Sequence, residues 1–100
     1  MYTFNRTVTI NSGVNTPKAV GFSVELTGYL NKTYGLNLRC GMELFNKSTI
    51  HWQFDVDGLD KIAAINQRLL EDKSYWAMLE KGKEYWVEGS QRDTIVTLFK

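Results

Sequence analysis

The chain has one histidine and one cysteine, which narrows the chemistry open to it. His51 lies in residues 49–57, where Ile50, Trp52, Phe54 and Val56 alternate with Thr49, His51, Gln53 and Asp55. Residues 36–45 alternate in the same way, with Leu36, Leu38, Cys40, Met42 and Leu44 on one side. Period two with β-branched and aromatic residues is the mark of half-buried strands. A turn at Asn46-Lys47-Ser48 joins the two into a hairpin. Only an odd loop, of about three or five residues, keeps both apolar sets on one face. The expected register sets Leu44 against Ile50, Met42 against Trp52 and Cys40 against Phe54. On the other face it sets Glu43 against His51 and Arg39 against Asp55. A carboxylate beside an imidazole favours the charged ring and fixes its orientation, as a proton-transfer pair requires. The same two residues also make an ordinary cross-strand ion pair. Arg39 beside Asp55 reads as an anchor for a substrate carboxylate, or as a structural salt bridge.

Other chemistries are excluded or unsupported. A lone cysteine can form no internal disulfide, and Cys40, on the apolar side, reads as inert packing. A single imidazole with no carboxylates at ligand spacing gives no metal site. Gly13, Gly21 and Gly35 form no phosphate loop, so no cofactor is expected. Twelve basic against 11 acidic side chains leave a net charge of +1, no basis for binding nucleic acid or an anionic membrane. The start of the chain has no basic segment followed by an apolar run, and no stretch is long and apolar enough to span a bilayer. A cytoplasmic protein is the default expectation.

The elements that hold these residues follow from patterning in a chain of 100 residues, a single domain over 1–100. Residues 2–11 alternate, with Tyr2, Phe4, Arg6, Val8 and Ile10 on one face and Thr3, Asn5, Thr7 and Thr9 on the other. Arg6 interrupts the apolar set, and the expectation is a position near a sheet end with the head group out. Thr16-Pro17 reads as a capping hydroxyl and a first-turn proline. That helix runs to about Tyr34, with a stripe of Ala19, Phe22, Leu26, Tyr29, Leu30 and Thr33, and ends on Gly35. Asp57 caps a second helix with a stripe of Leu59, Ile62, Ala63, Asn66, Leu69 and Leu70. Glu71-Asp72-Lys73-Ser74 breaks it before a further helical piece over 75–81, stopped by Gly82. Residues 83–88 are ambiguous, 89–93 read as a turn, and 94–99 as the last strand. Tyr75, Trp76, Met78, Tyr85 and Trp86 form an aromatic group that suits either an apolar ligand pocket or core and dimer contact.

Strand, helix, strand, strand, helix, strand is the order of the α+β ferredoxin-like fold. It implies a four-stranded antiparallel sheet with both helices on one face and the first and third strands central. The open face then carries Asn5, Thr7, Arg39, Glu43, His51 and Gln53 beside Phe45, Val96 and Leu98. Those positions lack the displayed aromatics of an RNA-binding sheet. The mixture is too polar for a dry core and too apolar at one edge to stand bare, which points to a second copy of the chain laid face to face.

The strand ending Trp-Gln-Phe-Asp-Val-Asp, its adjoining helix, the Glu-Asp-Lys-Ser-Tyr-Trp break and Glu-Gly-Ser-Gln-Arg-Asp-Thr-Ile-Val before a terminal strand resemble the dimeric α+β barrel superfamily. Within it the chain is most similar to NIPSNAP-like and antibiotic-biosynthesis-monooxygenase-like proteins. The resemblance implies a homodimer whose two sheets form a barrel, with a cavity inside the barrel or between each sheet and its helices. Some monooxygenase and haem-degrading members use an asparagine on the first strand with a tryptophan and a histidine elsewhere. Asn5 stands at the first of these positions, whereas the second helix has no histidine, which argues against haem degradation. Two functions follow as expectations. One is a homodimeric small-molecule-binding or interaction module. The other is a small cofactor-independent enzyme, monooxygenase- or isomerase-like, acting on a hydrophobic or aromatic molecule. His51, Glu43 and Asn5 are its candidate catalytic groups, and Arg39, Gln53, Thr7, Tyr75, Trp76 and Trp86 its candidate ligand contacts.

Overall fold

The computed structural model describes residues 1–43 and 48–99. Its elements in order are β1 (Tyr2–Thr9), α1 (Thr16–Tyr34), β2 (Arg39–Met42), β3 (Thr49–Val56), α2 (Leu59–Leu70), α3 (Lys73–Gly82) and β4 (Arg92–Thr97). The four strands form one antiparallel sheet in the order β2-β3-β1-β4, with the first and third strands central as the pattern implies. Phe4 stands opposite Phe54, and Val8 opposite Ile50. These even-numbered side chains face the helices; Val8, Ile50 and Phe54 make the core with Ile10, Ala19, Leu26, Leu30, Leu38, Trp52 and Tyr75, and half-buried Phe4 packs against it. The parity read from the sequence therefore holds in β1 and β3.

The hairpin register is displaced by two residues from the expected one. Met42 lies opposite Ile50 and Cys40 opposite Trp52. A slip of two keeps every side chain on its own face, so the hydrophobic pattern cannot tell the two registers apart. The expected partnership of Leu44 with Ile50, and the turn residues Asn46 and Lys47, lie outside the described residues. β2 is also shorter than 36–45. The segment before it is held by the Asn31 side chain, whose Nδ2 donates to the Leu38 carbonyl (3.1 Å) and whose Oδ1 accepts from the Leu38 amide (2.8 Å). An amide side chain thus does the work of a neighbouring strand.

Helix boundaries show where local signals were misread. The first turn of α1 is preceded by a single 3-10 turn, Gly13–Asn15, and Asn15 rather than Thr16 occupies the cap position. Gly35 ends the helix as expected, at φ 64 in the left-handed region that glycine tolerates. Gly58, not Asp57, caps α2, and Asp57 instead pairs with Lys61 one turn on. The break at 71–72 is real, and Asp72 caps α3 through the Tyr75 amide (3.0 Å). β4 begins two residues earlier than expected, at Arg92.

The two helical layers differ in how close they come to the sheet. α1 buries Ala19, Ser23, Leu26 and Leu30. α2 has no buried residue: Ile62, Ile65 and Leu69 are half-buried, and Leu59 and Leu70 are 50% and 56% exposed. Of the two apolar stripes, only that of α1 is buried against the sheet.

Candidate functional site

The space between α2 and the sheet is a cavity of about 1050 Å³. Phe4, Trp52 and Phe54 line it from the sheet, Leu26 and Leu30 from α1, Ile62, Ala63 and Leu69 from α2, and Tyr75 and Leu79 from α3. The size falls at the upper end of the range for small-molecule pockets, and the apolar walls are what such pockets use to hold their ligands.

The chain positions this lining in three ways. Parity aims the even-numbered residues of β1 and β3 inward. Residues 85–87 run beside the end of β1, with Asn11 N donating to Tyr85 O (2.9 Å), Val87 N to Thr9 O (2.8 Å) and Ile10 bridged to Trp86. This brings Trp86 edge-on to Trp52, with ring centroids 5.9 Å apart, and within 6.0 Å of Phe22. Finally, Asp72 ties the α2–α3 junction to α1. Its Oδ2 accepts from the Tyr29 hydroxyl (2.7 Å) and from the Tyr34 hydroxyl. The hydrogen bonds from Tyr29 and Tyr34 hold the Asp72 carboxyl below its usual range. Burial and the same carboxylate push Tyr34 up to about 12.

Arg6, Asn66, Lys83, Glu88, Gln91 and Asp93 interrupt the apolar wall, and Arg6 is the one on a central strand. Arg6 stands across the sheet ladders from Trp52 on β3 and from Asp93 on β4. Its Nε and Nη2 donate to the two Asp93 carboxylate oxygens at 2.8 and 2.9 Å, a two-pronged ion pair. Its Nη1 lies 3.5 Å from the Tyr75 hydroxyl. The Asp93 hydrogen bond raises the Arg6 pKa above its ordinary value, against the lowering effect of burial. The expectation for Arg6, a sheet end with the head group out, is corrected. It sits in mid-strand on a central strand, its side chain 27% exposed, because Asp93 supplies the compensating charge on the same face. Neither residue was picked out as a site residue from the sequence. The available signal was an arginine at an apolar parity position, matched by an aspartate in phase with Ile95.

The sequence candidates divide between the two sheet faces. Tyr75 and Trp86 line the cavity. Trp76 packs edge-on against Tyr75 at 5.5 Å but is 48% exposed and outside the cavity lining. Arg39, Glu43, His51 and Gln53 gather on the open face around a shallow hollow of about 290 Å³, with Cys40, Gly41 and Met42. His51 Nε2 is 3.0 Å from Glu43 Oε1, although Gly41 is the residue directly opposite. Arg39 reaches Asp55 at 3.4 Å, also diagonally. Both expected pairs therefore form, two residues off the direct rung. Thr3 donates to Asp55 at 2.8 Å, and this bond, with Arg39, lowers the Asp55 pKa. On β1, Asn5 and Thr7 lie opposite Gln53 and His51 of β3, and the Asn5 Oδ1 is buried without a partner among the described residues. Burial raises the Cys40 thiol pKa, in keeping with an inert side chain. Among the described residues no group of acidic, histidine and cysteine side chains could hold a metal ion.

The architecture is a ferredoxin-like α+β fold with a sheet–helix cavity. Particular solved structures share it. A NIPSNAP domain protein from Burkholderia xenovorans is 19% identical at a TM-score of 0.82, over 99% of this chain and 95% of its own. A NIPSNAP family protein from Agrobacterium tumefaciens is 15% identical at 0.79, over 96% and 90%. An antibiotic biosynthesis monooxygenase is 6% identical at 0.74, over the whole of both chains. At such identities the likeness establishes the fold and leaves the chemistry to the residues of this chain. No family model matches the sequence, and neither does any curated protein. No helix among the described residues is long and apolar enough to cross a membrane.

Proposed function

We propose that the chain is one subunit of a homodimer that binds an apolar or aromatic small molecule between α2 and the sheet. The observation that carries this reading is the cavity of about 1050 Å³ walled by aliphatic and aromatic side chains. An apolar pocket of that size left to water is unfavourable, because its lining forfeits both burial and packing. A ligand of matching shape restores those contacts. Dimerisation is supported by the open face, where exposed Val96 and Leu98 adjoin half-buried polar residues.

Mass spectrometry of organic extracts from the purified protein tests the binding reading. The expected result is one apolar compound enriched with the wild type and lost from Ala63→Phe, which fills the cavity from α2. Equal recovery from both proteins would overturn it. Sedimentation in dilute solution tests the dimer, and a monomer would refute it.

A second reading, proton transfer by His51 with Glu43, rests on their 3.0 Å contact beside the open-face hollow. His51→Gln is expected to abolish any turnover that uses this pair, and unchanged turnover excludes it.

A further inference from the structure

Resting on the cavity as the binding site, the geometry points to its ligand class: an uncharged, mainly apolar molecule whose single carbonyl-type oxygen accepts hydrogen bonds from Arg6 and Tyr75. Arg6 spends Nε and Nη2 on Asp93, at 2.8 and 2.9 Å. That leaves three N–H donors, two on Nη1 and one on Nη2, and among the described residues the partner of Nη1 is the Tyr75 hydroxyl at a weak 3.5 Å. If the tyrosine oxygen accepts from Arg6, its own proton remains to be donated. The two side chains therefore offer donors, and the Asp93 oxygens that could compete are already engaged.

Charge decides the class more sharply. The Asp93 carboxylate cancels the Arg6 charge inside the lining, and Lys83 and Glu88, which also line it, add one charge of each sign. A ligand carboxylate would lose its hydration and meet a neutral pair with its negative partner close by, which is unfavourable in an apolar site. A ketone, ester or amide oxygen meets neither penalty and gains a charge-assisted hydrogen bond.

Three probes of one shape test this: naphthyl methyl ketone, the hydrocarbon isopropenylnaphthalene and naphthoate. Binding is measured by equilibrium dialysis with mass-spectrometric quantification. The ketone is expected to bind the wild type about tenfold or more tightly than either of the others, the worth of one charge-assisted hydrogen bond. Arg6→Met combined with Asp93→Leu removes both charges together, so that neither is left buried alone. This variant is expected to lose the preference for the ketone while keeping the affinity for the hydrocarbon, and Tyr75→Phe to lose part of the preference. Circular-dichroism melts establish that each variant is folded. Equal binding of ketone and hydrocarbon, a preference that survives in the double variant, or tightest binding of naphthoate would overturn the inference and leave the cavity reading standing. If none of the three probes binds, the cavity reading itself fails and the inference falls with it.

Discussion

Helices α1 and α2 lie over the same sheet face, and the less amphipathic of the two is the one that is buried. α1 has the weaker apolar stripe, yet Ala19 and Ser23 are 0% and 1% exposed. α2 has the stronger stripe and buries nothing. Amphipathicity sets which way a helix turns, not how near it sits. Distance is set by the side chains at the contact. Alanine and serine let α1 approach, and Ser23 hides its hydroxyl by donating to the Ala19 carbonyl at 2.7 Å. α2 presents isoleucines and leucines toward sheet residues as large as Phe4 and Phe54, and the gap between them is the cavity.

The sharpest way to break this comparison is to truncate one leucine in each helix. Leu26→Ala in α1 removes a side chain that borders the cavity but is only 5% exposed, and is expected to destabilise by about 2–5 kcal/mol. Leu69→Ala in α2 only widens an existing cavity and is expected to cost about 1 kcal/mol. Urea unfolding measures both. Equal losses would mean that α2 is packed as tightly as α1.

Much of this contrast could not be read from residue order. Alternation along β1 and β3 gave the faces, and the order of elements gave the strand order, because both depend on patterns that a fold must satisfy everywhere. The hairpin register was missed by two residues because parity is blind to such a slip. Thr16 and Asp57 are good capping residues beside others that took the role, Asn15 and Gly58. The cavity was illegible for a different reason: a stripe that lines a void and a stripe that fills a core have the same spacing. Arg6 was visible as an exception, but its meaning depended on Asp93, 87 residues away in sequence. The open-face pairs were legible because two oppositely charged residues fell on one face under either register.

A second test concerns how α3 is seated. A Cβ built on Gly82 would lie 2.6 Å from Cζ of the Phe22 ring. Gly82→Ala must displace that ring from its place beside Tyr85 and Trp86, and is expected to cost about 1–3 kcal/mol by thermal or urea unfolding. Full stability would mean that α3 has room to move, like α2.

A smaller effect should follow the Asp72 tether through pH. The Asp72 pKa is lowered in the fold, so its contribution is present above the ordinary carboxylate value and is lost as pH falls below about 4. The Tyr34 pKa is raised to about 12, so its contribution is full below the ordinary tyrosine value near 10 and is lost as pH rises toward the folded value. Melting temperatures at about pH 3, 7 and 11 should fall at both extremes. They should fall less in Asp72→Asn, which is already weakened at neutral pH. Parallel profiles would mean that the tether contributes nothing.

The smallest effect is expected on the open face. Glu43 and His51 are a partly exposed pair, and His51→Gln should change stability by about 0.2–1 kcal/mol in chemical denaturation. A loss as large as that of Leu26→Ala would move the weight of the structure to that face.

The account depends most on which side of the sheet receives the ligand. Binding of naphthyl methyl ketone, measured by equilibrium dialysis on wild type, Ala63→Phe and His51→Gln, addresses this directly. Saturable binding at one site per chain is predicted, weakened at least about tenfold by Ala63→Phe and unchanged by His51→Gln. Binding that survives Ala63→Phe and disappears with His51→Gln would place the site on the opposite face and contradict the account.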